Sequence, residues 1–83
     1  MSDDIRKRVY ALIADQAARS AADVHDDQRL ADIGLDSLDV VELSLAVEDE
    51  FKFTMADEEF DAFYEFQTVG NVLDFVQGKA VTA

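Results

Sequence analysis

The chain has no cysteine, no proline and no tryptophan. Without cysteine it can form no disulfide, offer no thiolate to a metal and supply no thiol nucleophile, so any thiol chemistry must arrive on an added group. With no proline and only three glycines in 83 residues, nothing marks a linker, and one domain over residues 1–83 is expected. Positive charge is scarce as well: seven Lys and Arg stand against 19 Asp and Glu, a formal net charge of −12. Such a balance argues against nucleic acid and anionic membrane surfaces as partners and favours basic ones. No apolar run approaches the ~20 residues that span a bilayer, and the opening MSDDIRKRV lacks the apolar centre of a secretory signal. A cytoplasmic monomer with no membrane span is expected.

What the sequence does have is helical periodicity. Ile5, Val9, Leu12 and Ile13 follow Ser2, Asp3 and Asp4, which suit a cap and first turn, so a helix is predicted over about residues 3–18. Residues 19–35 are rich in turn formers and read as a long loop with Val24, Leu30 and Ile33 as core anchors. Asp36 or Ser37 can cap a second helix reaching about Phe51, since either short side chain can accept from the free N–H groups of the first turn. A short third helix is predicted over 57–65, and Thr68 caps a fourth that carries Val69, Val72, Leu73 and Val76 and stops at Gly78. No stretch alternates with period two. The expected fold is all-α, a small four-helix bundle of three longer helices and a short third one, with the long loop between helices one and two.

The second helix carries two apolar stripes. At about 100° per residue, Val40, Leu43, Val47 and Phe51 gather within roughly 80° and form an ordinary core face. Leu38, Val41 and Leu45 gather within roughly 60° on nearly the opposite side, with Glu42 and Asp49 beside them and Glu48 on the other flank. Burying that second stripe would leave its acids needing partners, and residues 36–65 hold eleven acids against one base, Lys52. An exposed apolar strip rimmed by carboxylates is therefore expected, the anatomy of a docking surface for a partner with an apolar groove and an Arg/Lys rim.

Ser37 stands where the glycine-containing loop meets this helix, in the run GLDSLDVVEL. A serine at a helix start is most often a cap and nothing more. Its surroundings carry further meaning: the acidic EDEF, then FTMADEE, then TVGNVLDFV follow at the spacing of the acyl carrier protein family, which the chain resembles over nearly its whole length. That family bears a DSL serine at the start of the second of four helices. The resemblance implies a non-catalytic carrier in which Ser37 receives phosphopantetheine from coenzyme A through a separate, magnesium-dependent phosphopantetheinyl transferase. It implies cargo held as a thioester for enzymes of fatty-acid or related lipid biosynthesis with basic docking patches. It further implies that Asp36, Asp39, Glu42, Leu45, Glu48 and Asp49 touch those partners, with Leu38 and Val41 adding apolar contact.

No catalytic residue and no metal set is expected of the chain itself. A serine hydroxyl is a poor nucleophile without a base, and His25, the sole histidine, reads as a solvated loop residue. Carriers of polyketide or of aminoacyl and peptidyl cargo share the arm chemistry and stand as alternatives. So does an acidic helical adaptor in which Ser37 only caps, although the chain lacks a DxDxDG-type calcium loop. Two departures from the family pattern stand out: Ala56 replaces the proline that usually precedes the third helix, and EEFDAFYEFQTV is two or three residues longer than usual. Its rings at Phe60, Phe63, Tyr64 and Phe66 read as extra core packing or as walls of an acyl-chain pocket.

Overall fold

The structure, a computed structural model, describes residues 3–82. The helices are α1 (Asp3–Ala17), α2 (Ser37–Phe51), α3 (Asp57–Tyr64) and α4 (Val69–Thr82), and the α1–α2 loop contains single 3-10 turns at Ala21–Asp23 and Ala31–Ile33. This is the four-helix arrangement with a short third member that the periodicity predicts. The proposed cap at Ser2 lies outside the described residues.

The apolar stripes meet in one core. Val9 and Ile13 of α1, Val40, Leu43 and Val47 of α2, Phe63 of α3 and Val69, Val72, Leu73 and Val76 of α4 are all buried. α1 packs against α2 and α4, while α3 packs against α2. The loop is fastened from within by Val24, Leu30, Ile33 and Leu35, each buried, so three predicted anchors hold and Leu35 joins them.

Backbone hydrogen bonds explain why so long a loop stays in place. The N–H groups of Val69 and Gly70, orphans of the first turn of α4, donate to the carbonyls of Gln28 and Asp26 at 3.0 and 2.8 Å, and Leu30 N–H donates to Gln67 O at 2.9 Å. Thr68 Oγ1 accepts from Asn71 N–H while Asn71 Oδ1 accepts from Thr68 N–H, at 3.2 and 3.1 Å, so Thr68 caps α4 as expected. On the other side, the Asp26 carboxylate takes hydrogen bonds from Arg6 Nη1 at 2.7 and 2.6 Å and from the Tyr10 hydroxyl. Arg6 and then Tyr10 hold the Asp26 carboxyl below its ordinary value, while burial and this carboxylate raise the Tyr10 hydroxyl.

One helix end differs from expectation. α4 does not stop at Gly78 but runs on to Thr82, because the residues after the glycine include good helix formers and no left-handed turn interrupts them. α2 ends at Phe51 as expected, and its cap Lys52 adopts the left-handed conformation (φ 58°, ψ 49°) and donates its N–H to Glu48 O without being a glycine.

Candidate functional site

Gly34 sets the approach to Ser37. It closes the second 3-10 turn at φ 90° and ψ 12°, a left-handed conformation suited to glycine, and donates to Ala31 O at 3.2 Å. The reversal lets Leu35 enter the core and leaves Asp36 outside to begin α2.

Asp36, not Ser37, is the cap. Asp36 Oδ1 accepts the Asp39 N–H at 2.9 Å and Asp39 Oδ2 accepts the Asp36 N–H at 3.1 Å, a reciprocal capping box. That hydrogen bond from the Asp36 backbone, followed by one from Gln16, holds the Asp39 carboxyl below the usual carboxylate range. With capping done by its neighbour, Ser37 occupies the first helical position, exposed, and its hydroxyl makes no hydrogen bond to any described residue. The N-terminal end of α2 carries partial positive charge from its unsatisfied N–H groups, so an anion attached through Ser37 Oγ would sit in a favourable field.

On its apolar side the strip beyond the serine is exposed as expected at Leu38 and Leu45, but not fully at Val41. Leu38 and Leu45 are 65% and 60% exposed, whereas Leu43 on the opposite face is fully buried. Val41 is half-buried between the strip and the rest of the fold, and Ser44 beside it is buried with its hydroxyl donating to Val41 O at 2.6 Å.

The acids divide into two groups. Asp36, Glu42 and Asp49 are exposed along the strip, and Asp49 meets Lys52 only at 4.0 Å with both side chains in solvent. Asp39 is half-buried and held by the capping box, and Glu48 is half-buried with Oε2 accepting the Met55 N–H at 2.6 Å. Two ties that the sequence did not announce lock α2 to α1. Gln16 Nε2 donates to Asp39 Oδ1 at 3.2 Å and to Glu42 Oε2 at 3.0 Å. Arg8 donates to the Glu50 carboxylate and to the Glu50 carbonyl, each at 2.8 Å, and lies 4.4 Å from the Phe51 ring centroid. Neither contact has a signature in one-dimensional spacing, since both join residues more than twenty positions apart.

The aromatic stretch also divides. Phe63 is fully buried, and its ring lies 5.3 Å from Phe66 and 5.8 Å from Phe75; Phe75 in turn meets Phe53 at 6.1 Å. These centroid distances are those of core ring packing. Phe60 is half-buried and stacks at 6.5 Å on Tyr64, which is 46% exposed. At the start of α3, Ala56 caps with no side chain; Glu59 instead accepts the Ala56 N–H at 2.9 Å and pairs with Lys79, and both contacts hold the Glu59 carboxyl low, Lys79 the more strongly. His25 is exposed in the loop, its backbone N–H donating to Gln28 Oε1 at 2.7 Å.

A family model described as "Phosphopantetheine attachment site" matches residues 7–76. Among solved structures, the NMR structure of the HMG-ACPI domain from the CurA module of Lyngbya majuscula matches with a TM-score of 0.72, covering 94% of this chain and 73% of that one at 19% identity. At that identity the likeness is one of fold.

Proposed function

The chain belongs to the phosphopantetheine-attachment family, whose domains carry that group covalently, and on this premise we propose that Ser37 is the attachment point and the protein an acyl carrier. The observation that carries the assignment is the division of labour at the start of α2: Asp36 takes the cap and leaves an exposed Ser37 hydroxyl, without a hydrogen-bond partner among the described residues, beside the Leu38–Leu45 strip. The site fits the group, with an exposed hydroxyl at a positive helix end between the exposed side chains of Asp36 and Leu38. When bound, the arm supplies a terminal thiol on which an acyl group is carried as a thioester.

The chain's own residues present and recognise. The serine needs a base to become a nucleophile, and a separate transferase supplies it together with coenzyme A and magnesium. The oxygen–phosphorus bond to Ser37 forms as the diphosphate of coenzyme A breaks, its nucleotide half leaves and the serine proton passes to the transferase. Leu38, Val41 and Leu45 offer apolar contact, and Asp36, Asp39, Glu42, Glu48 and Asp49 offer charge to enzymes with basic patches. Docking there raises the effective concentration of the tethered acyl group at the partner's active site.

Within this reading the protein is a cytoplasmic monomer serving fatty-acid or related lipid biosynthesis. Intact mass after incubation with coenzyme A, magnesium and a broad-specificity phosphopantetheinyl transferase tests it. Wild type should gain one phosphopantetheinyl group and Ser37→Ala none; an unmodified wild type would instead support an acidic adaptor. Polyketide and aminoacyl or peptidyl carriers use the same arm, so the cargo found on protein purified from its native source decides the pathway.

A further inference from the structure

We infer that Gln16, on α1, is a positioning residue of the docking surface, holding Asp39 and Glu42 as an aimed but un-neutralised pair of carboxylates for a basic partner. The inference rests on the docking role proposed for α2. Its basis is a single side-chain amide whose nitrogen reaches Asp39 Oδ1 at 3.2 Å and Glu42 Oε2 at 3.0 Å. These acids are three apart on one helix, a spacing at which like charges repel and drive their side chains away from each other. A two-hydrogen donor between them offsets that repulsion and fixes both rotamers. It also reaches the serine indirectly, because Asp39 Oδ2 closes the capping box on the Asp36 N–H, one residue before Ser37.

The choice of a neutral donor is the informative part. α1 has arginines and directs them elsewhere: Arg6 to Asp26 in the loop, Arg8 to Glu50 and Asp4. A base at position 16 would tie the helices together at least as well, but it would cancel the charge that a partner's guanidinium or ammonium group reads. Glutamine ties the helices and leaves both negative charges in place. The docking surface is then completed across two helices, with α1 setting the aim of carboxylates that α2 carries.

The test is steady-state arm transfer to the full chain by a phosphopantetheinyl transferase with coenzyme A and magnesium, over a range of salt, alongside melting temperatures. Gln16→Ala should raise the KM for the carrier about three- to fivefold with kcat unchanged, the size expected when an exposed charged contact is loosened. Gln16→Lys should raise KM further and flatten the fall of kcat/KM with salt, while leaving the melting temperature equal to or above that of wild type. The reference variants are Glu42→Gln and Leu45→Ala. If these raise KM while both Gln16 variants match wild type, the docking role stands and the role of Gln16 is refuted. If the reference variants also leave KM unchanged, the docking role itself fails and this inference falls with it. A loss in Gln16→Ala confined to melting temperature would show a helix tie and nothing more, again refuting the proposal.

Discussion

The carboxylate of Glu48, near the end of α2, accepts the backbone N–H of Met55 at 2.6 Å, fastening the segment that leads into α3. Met55 is buried, so its N–H has little water to fall back on. Removing a charged acceptor from such a donor costs about 1–3 kcal/mol. Glu48→Ala should therefore lower the unfolding free energy measured in urea by about 1–2 kcal/mol, whereas Glu42→Ala, on the exposed side of the same helix, should change it by less than about 0.5 kcal/mol. Equal effects would show that Glu48 is only a surface acid.

The two leucine faces give a second contrast. Leu43 is fully buried and Leu45 is 60% exposed. Leu43→Ala should cost about 2–5 kcal/mol, a core truncation that leaves a cavity. Leu45→Ala should lie within about 0.5 kcal/mol of wild type while slowing arm transfer. Comparable losses in urea unfolding would place both faces in the core.

Much of this was legible in the sequence, for identifiable reasons. Helix existence, the core face of α2 and the exposure of Leu38 and Leu45 follow from a 3.6-residue period, which one helix carries by itself. The cap required the structure, because either Asp36 or Ser37 can accept from a first-turn N–H and only the reciprocal bonds between Asp36 and Asp39 decide between them. The partner role expected of Glu48 and Asp39 now shares those side chains with structural bonds, to Met55 N–H and to Asp36 N–H, that come from chain folding back on itself. Gln16 was invisible because nothing in α1 alone indicates which acids of α2 will lie across from it.

Glycines mark a third prediction, where the turn signal misled. Gly78 lies inside α4 and a β-carbon there would meet nothing within 4 Å. Gly78→Ala should stabilise by about 0.5–1 kcal/mol, the gain in helix propensity. Gly70 also lies in α4, but its β-carbon would come within 3.1 Å of the Asp26 carbonyl oxygen. That oxygen cannot retreat freely, since it accepts the Gly70 N–H at 2.8 Å. Gly70→Ala should thus forfeit its propensity gain and destabilise by about 1 kcal/mol. Urea unfolding of both variants checks the opposite signs.

Acid dependence provides the last. The Arg6 guanidinium and the Tyr10 hydroxyl hold Asp26 ionised below the usual carboxylate range. Its folded value is depressed, so its contribution is complete above the unfolded value near ~4 and is lost as pH falls through the lower folded one. The Arg6 and Asp26 side chains are 34% and 45% exposed, so screening keeps the effect modest. A background of opposite sign accompanies it: protonating the other acids of a chain with net charge −12 relieves self-repulsion. Comparison with Asp26→Asn removes that shared background. The variant should be the less stable at pH 7, and the gap in urea midpoint should narrow below about pH 5 and close as pH falls through the depressed folded value, where wild type surrenders the interaction. Because Asp26 also lends its carbonyl to the first turn of α4, the protection of the Gly70 N–H from hydrogen exchange, taken relative to the intrinsic rate at each pH, should fall over the same range in wild type. A gap that stays constant with pH would mean that the carboxylate's charge does not secure the loop.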